Sequence, residues 1–199
     1  MREKEELTVF RYKDYPVVRW KNGQGISREV ITSFSEGENF DWRLSLADIS
    51  QSGEFSEYKG YQRLITLVEG DGCGLIFGEG KKKDLTQLHE PFSFDGGLPL
   101  RCNLYGGATK NLNLMVRQDC ITARWTVCNI GASEKVELEG DNIHIFFCLR
   151  GTFQFIEAAT RSPFLEEWDS AKLYRKSNAV ISINAEFPAK FLHIKLSGS

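Results

Sequence analysis

The sequence predicts an all-β protein, because its apolar residues alternate with a period of two and turn residues recur at short intervals. The first clear strands are Leu64-Ile65-Thr66-Leu67-Val68 and Gly74-Leu75-Ile76-Phe77, separated by the turn Glu69-Gly70-Asp71-Gly72. Gly78-Glu79-Gly80, Asp95-Gly96-Gly97 and Gly106-Gly107 punctuate the stretch that follows. After Glu139-Gly140-Asp141-Asn142 come Ile143–Leu149 and, near the end, Phe191–Leu196. Short strands with such punctuation fit a β-sandwich or barrel. Only Pro163–Trp168 reads as a short helix or turn, with Ser162-Pro163 as its start signal.

The chain has 199 residues, enough for one domain of two packed sheets or two small halves. A formal net charge of −2, from 25 Lys and Arg against 27 Asp and Glu, supplies no basic field for a phosphate backbone. Nucleic acid is not an expected partner. The charged start and the lack of a long apolar run argue against secretion or membrane insertion, so a cytoplasmic location is expected. The five cysteines are widely spaced with no Cys-x-x-Cys pair, which suits buried thiols in strands.

An internal repeat is visible. Arg63–Gly70 can be laid over His144–Gly151, and a strand follows each glycine. The later landmarks pair Leu85 with Leu173, Pro91–Phe94 with Ala179–Ile183, and Leu100–Leu104 with Phe191–Ile194. Two copies of one β-unit are therefore expected, residues 1–118 and 119–199, packed as one globular unit.

Two stretches carry polar and charged residues inside segments that otherwise read as buried strand: Trp20-Lys21-Asn22-Gly23-Gln24-Gly25 and Phe40-Asp41-Trp42-Arg43-Leu44-Ser45. With Ser27-Arg28-Glu29, Gly53-x-Phe55-Ser56-x-Tyr58-x-Gly60-x-x-Arg63, Pro91-Phe92-x-Phe94-Asp95-Gly96 and Leu112-Asn113-x-Met115-x-Arg117, they form an ordered set over residues 17–118. In this set the chain resembles the HutD/Ves family of bicupins; its second half resembles them only in length and β pattern. The resemblance implies two tandem cupin-like jelly rolls of the RmlC kind. It also implies a pocket in the first barrel suited to a small carboxylate, such as formylglutamate or urocanate, and a regulatory tie to histidine utilisation. Pairing of cupin sheets allows a homodimer.

The residues supply a chemical rationale for that pocket. An arginine on an inward strand face needs a counter-ion and hydrogen bonds, so Arg43, Arg63 and Arg117 are candidates to grip a carboxylate with paired hydrogen bonds. Arg63 is the expected anchor. Asn22, Ser45 and Asn113 would add neutral hydrogen bonds, and Phe94 and Met115, with Trp42 and Phe55, apolar walls. Glu29 and Asp95, with Asp41, would either pair with the arginines or act as acid–base groups. Internal pairing, outward exposure and core packing are the structural alternatives for each of these.

No metal or other cofactor is expected. His89, His144 and His193 are far apart in sequence, and no two stand at i and i+2 to offer adjacent ligands from one strand. His144 and His193 can meet only if their strands are neighbours. Two further classes stay open: a metal-free enzyme acting on the same acid, and an interaction protein with no working pocket.

Overall fold

The computed structural model describes residues 6–20, 25–34, 40–157 and 160–198. In chain order the first strands are β1 (Leu7–Phe10), β2 (Val17–Arg19), β3 (Gly25–Phe34), β4 (Phe40–Ile49), β5 (Gly53–Phe55) and β6 (Tyr61–Glu69). Next come β7 (Cys73–Phe77), β8 (Lys82–Leu85), β9 (Pro91–Asp95), β10 (Leu100–Leu104), β11 (Thr109–Arg117) and β12 (Ile121–Ile130). The remainder are β13 (Ser133–Leu138), β14 (Asn142–Arg150), β15 (Gln154–Glu157), β16 (Thr160–Arg161), β17 (Ser170–Arg175), β18 (Ala179–Asn184) and β19 (Ala189–Gly198). The expected strands Leu64–Val68, Gly74–Phe77, Ile143–Leu149 and Phe191–Leu196 all lie inside these elements. Pro163–Trp168 forms an extended stretch and a turn rather than a helix, and Leu165 there bridges to Phe153. No helix among the described residues is long and apolar enough to cross a membrane.

The chain divides into two compact units, with the boundary between Ile121 and Thr122. The described residues before Tyr15 belong to the second unit, because β1 pairs along its length with β17. The sequence placed this strand with the first barrel. Four alternating residues show that a strand exists but not which distant edge receives it.

In the first unit a six-stranded sheet, β2-β3-β4-β11-β6-β9, faces a four-stranded one, β5-β10-β7-β8. Ala47, Ile49, Ile65 and Phe94 from the larger sheet pack with Cys73, Leu75, Phe77, Leu100 and Cys102 from the smaller. In the second unit the sheets are β1-β17-β14-β19-β12 and β13-β18-β15-β16. Its core is dominated by Phe146, Phe153, Phe155 and Phe191, each at most 1% exposed.

The repeat holds strand for strand. β4 through β11 and β12 through β19 occupy the same places in their sheets, and two sheets of eight antiparallel strands make a jelly roll. β6 and β14 are equivalent, and each ends in a left-handed glycine, Gly70 at φ 94° and Gly151 at φ 79°. A Cβ at Gly70 would meet the Ala108 carbonyl at 2.7 Å, so the turn excludes larger residues on two counts. The later landmarks shift by one strand: β9 corresponds to β17 and β10 to β18, so Pro91–Phe94 matches Ser170–Arg175 rather than Ala179–Ile183. Strands of similar length recur too regularly for spacing to fix which copy matches which.

Candidate functional site

Alternation along three neighbouring strands of the first unit builds a cavity of about 470 Å³, inside the ~300–1,000 Å³ span of small-molecule sites. On β4 the inward residues are Arg43, Ser45, Ala47 and Ile49; on β11 they are Met115, Asn113 and Asn111; on β6 they are Arg63 and Ile65. Pairing aligns these into rows across the sheet. Arg43, Met115 and Arg63 form one row, with Phe94 beyond Arg63; Glu29, Ser45, Asn113 and Ile65 form the next; Ser27, Ala47 and Asn111 form a third. The cavity thus runs from the cationic row of Arg43 and Arg63 to a neutral one of Ser27, Ala47 and Asn111. Trp20, Phe55 and Tyr58 close its sides, with Trp20 fixed by donation from Nε1 to Ser27 Oγ at 2.8 Å.

Arg63 is 5% exposed. Its Nε and one terminal nitrogen donate to Asn113 Oδ1 at 3.4 and 3.3 Å, and the other donates to the Ser56 carbonyl at 3.3 Å. The guanidinium lies 5.2 Å from the Phe94 ring centre, 5.3 Å from Phe55 and 5.9 Å from Tyr58. All of these partners are neutral. Burial pulls its pKa below the usual arginine value, to about 10, opposed by Tyr58 and reinforced by the Arg43 charge. Arg43 donates to Tyr58 Oη at 3.2 Å and lies over the Phe40 ring, while its buried Nε has no partner among the described residues. Among the described residues neither arginine forms an ion pair. A buried cation and a half-buried one in the same row, without a counter-ion among the described residues, make a site for an anion.

The structure brings together Glu29, Arg43, Ser45, Arg63, Asn113 and Met115 on the cavity wall. Phe94 stands behind Arg63 as a core ring, stacked on Phe92, and does not line the cavity. Asp95 is exposed at the end of β9, where its carboxylate accepts from the Gly97 amide at 2.8 Å. The neighbouring Gly96 is the part of that motif that serves the site, since a Cβ there would lie 3.1 Å from Arg63 Cδ. Arg117 shares the parity of Asn113 and Met115 but comes at the end of β11, past the cavity. There it pairs with Asp41 at 3.2 Å and Asp119 at 2.9 Å. Asn22 lies outside the described residues.

Sequence reasoning did not name Asn111, Ser27 or Val18 as lining residues. Asn111 and Ser27 were within reach of the alternation argument, each standing two residues from a residue that it did name.

The second unit carries His144 where the first has Arg63, and His193 where it has Asn113. The two histidines meet on neighbouring strands, with His144 Nδ1 2.9 Å from His193 Nε2 and His144 Nε2 3.0 Å from the Glu139 carbonyl. That carbonyl can only accept, so His144 carries its proton on Nε2 and accepts at Nδ1 from His193. Burial lowers both pKa values, His193 to about 4 with help from His144 and Lys195. This is a neutral, packed pair. Among the described residues no three His, Cys, Asp or Glu side chains converge to hold a metal. The first-unit cavity sets Glu29 and Glu54 beside Arg19, Arg43 and Arg63 with no histidine, a donor set that does not suit a cation.

The HutD family model matches residues 12–190. A Pseudomonas putida protein described as an uncharacterised 21.2 kDa protein in the hutC 3′ region is 36% identical over 165 residues, covering 73% of this chain and 86% of its own. Protein Ves of Citrobacter koseri is 32% identical over 149 residues, covering 74% and 75%. HutD from Pseudomonas fluorescens SBW25, solved in a formate condition, superposes with a TM-score of 0.84 at 26% identity over 98% of this chain and 100% of that one. A cupin 2 conserved barrel domain protein from Leptotrichia buccalis shares the fold, with a TM-score of 0.59 at 10% identity and 92% coverage of each chain.

Proposed function

The chain belongs to the HutD family, and from that premise we propose that the cavity of its first unit binds a small carboxylic acid, without a metal, in a regulatory role in histidine utilisation or amino-acid metabolism. The observation that carries the reading is the Arg63 guanidinium, buried and surrounded only by neutral partners. A carboxylate placed against it completes an ion pair whose desolvation cost the fold already bears, and Arg43 Nε offers a further donor. Ser45 and Asn113 stand in the adjoining row to orient the rest of the molecule. The hutC-region relative supports the link to histidine utilisation, and the formate condition of the fluorescens HutD structure supports the carboxylate. Formylglutamate and urocanate are the ligands expected first.

The test is thermal stability of the metal-stripped protein against formylglutamate, urocanate, glutamate and formate, repeated with Arg63→Ala. A ligand that binds only the folded state raises its melting temperature with concentration. A shift with one acid that disappears in the variant supports the reading; no shift with any acid overturns it. A metal-free enzyme is the second reading, favoured by Glu29, a cavity carboxylate with no ion pair among the described residues. It requires product formation that Glu29→Gln removes while binding persists.

A further inference from the structure

Asn111 has no part in the carboxylate site as described, yet it is the least satisfied polar side chain on the cavity wall. It is 0% exposed, and among the described residues neither its Oδ1 nor its Nδ2 has a nitrogen or oxygen partner. Buried amides are rarely left so, because an unmet donor or acceptor costs about 1–3 kcal/mol. The Asn111 amide does bear on the Cys73 thiol, helping to lower its pKa after Cys102, but a thiol is a weak partner that leaves most of an amide's hydrogen-bonding capacity unused. Packing does not require asparagine here. The equivalent position of the second unit is Phe191, which fills that unit's core.

The placement of the amide is informative. Asn111 lies two residues from Asn113 on the same face of β11, which puts it roughly 7 Å further along the strand. There the walls are Ala47, Ile49 and Ile65, with no arginine in the row. A second carboxylate at that end would find no buried cation in its row, since the remaining lining arginine, Arg19, is exposed on β2. A neutral group that both donates and accepts would satisfy both atoms of the Asn111 side chain.

We infer that Asn111 is a second recognition point, and that the ligand is a carboxylate bearing an amide-type group at its far end. This rests on the carboxylate reading of the arginine end. The experiment is isothermal titration of the full chain with succinamate and glutaramate against succinate and glutarate, in the native protein and in Asn111→Leu. The native protein is expected to favour one of the half-amides over its diacid by about tenfold or more, and the variant to bind the two alike. Equal affinities in the native protein, or a preference that survives in the variant, overturn the role of Asn111. Binding of none of the four overturns the carboxylate reading, and this inference with it. The native series decides the question if the leucine variant fails to fold, and Asn111→Ala gives a second variant.

Discussion

Replacing Arg63 by methionine separates an anion-binding arginine from a structural one, because the two predict different stabilities. Burial holds the guanidinium pKa at about 10, below the usual arginine value, which corresponds to a net charging penalty of about 3 kcal/mol in the folded state. The variant also loses contacts. A hydrogen bond from a charged donor contributes about 1.5–3 kcal/mol, and a ring contact about 0.5–2 kcal/mol when desolvated. Arg63 has both kinds, to Asn113, Ser56, Phe55, Tyr58 and Phe94. The lowered pKa is already net of these contacts, so the charge adds no stability of its own and Arg63→Met should leave stability within about 2 kcal/mol of the native value. An arginine locked in a buried ion pair would instead cost about 3–5 kcal/mol on removal. Urea unfolding at neutral pH without added acid measures the difference, and titration with the acid measures the function. The expected result is a stable protein that no longer binds. A loss beyond about 4 kcal/mol would show that Arg63 already has its counter-ion and would refute the reasoning.

Arg117→Ala should leave acid affinity unchanged and stability nearly so, because its ion pairs with Asp41 and Asp119 are exposed to solvent screening; weakened binding in titration would return this residue to the cavity. The second unit should be acid-sensitive through its histidine pair. His193 has a folded pKa of about 4 against 6.5 for the free side chain. The unfolded chain therefore binds the proton more readily, and stability falls as pH drops from about 6.5, levelling off below about 4 after a loss on the order of 3 kcal/mol. His193→Phe should flatten the melting temperature across that window, and an unaltered slope would count against the pair. Finally, Glu29→Gln should keep the acid affinity of the native protein within a few-fold; abolished binding would make this carboxylate part of the anion site's own geometry.

Much of the architecture was legible because jelly-roll strands advertise themselves locally. Alternation marks the inward residues, and Gly70 and Gly151 mark the same turn in both copies. The family motifs and the cost of an inward arginine put Arg43, Ser45, Asn113 and Met115 in one pocket, and strand alternation is what brings them to one surface. It failed where position along a strand matters as much as parity. Arg117 has the right phase but extends past the cavity to Asp41 and Asp119, and Asp95 belongs to a turn. Phe94 points inward yet supports Arg63 from behind. Partnership across long separations was equally hidden, so neither the pairing of β1 with β17 nor the meeting of His144 with His193 followed from the residues. Asn111 could have been found, since it repeats the polar choice at Asn113 two residues earlier, but only the structure reveals that its amide has no nitrogen or oxygen partner among the described residues.

The most direct measurement is a crystal structure of the protein grown with whichever acid raises its melting temperature. The account predicts the acid's carboxylate against the Arg63 guanidinium, with Arg43 Nε as a second donor and the remainder of the molecule running along the row of Ser45 and Asn113. Acid bound elsewhere on the chain, or a cavity that stays free of it at saturating concentration, would contradict the account.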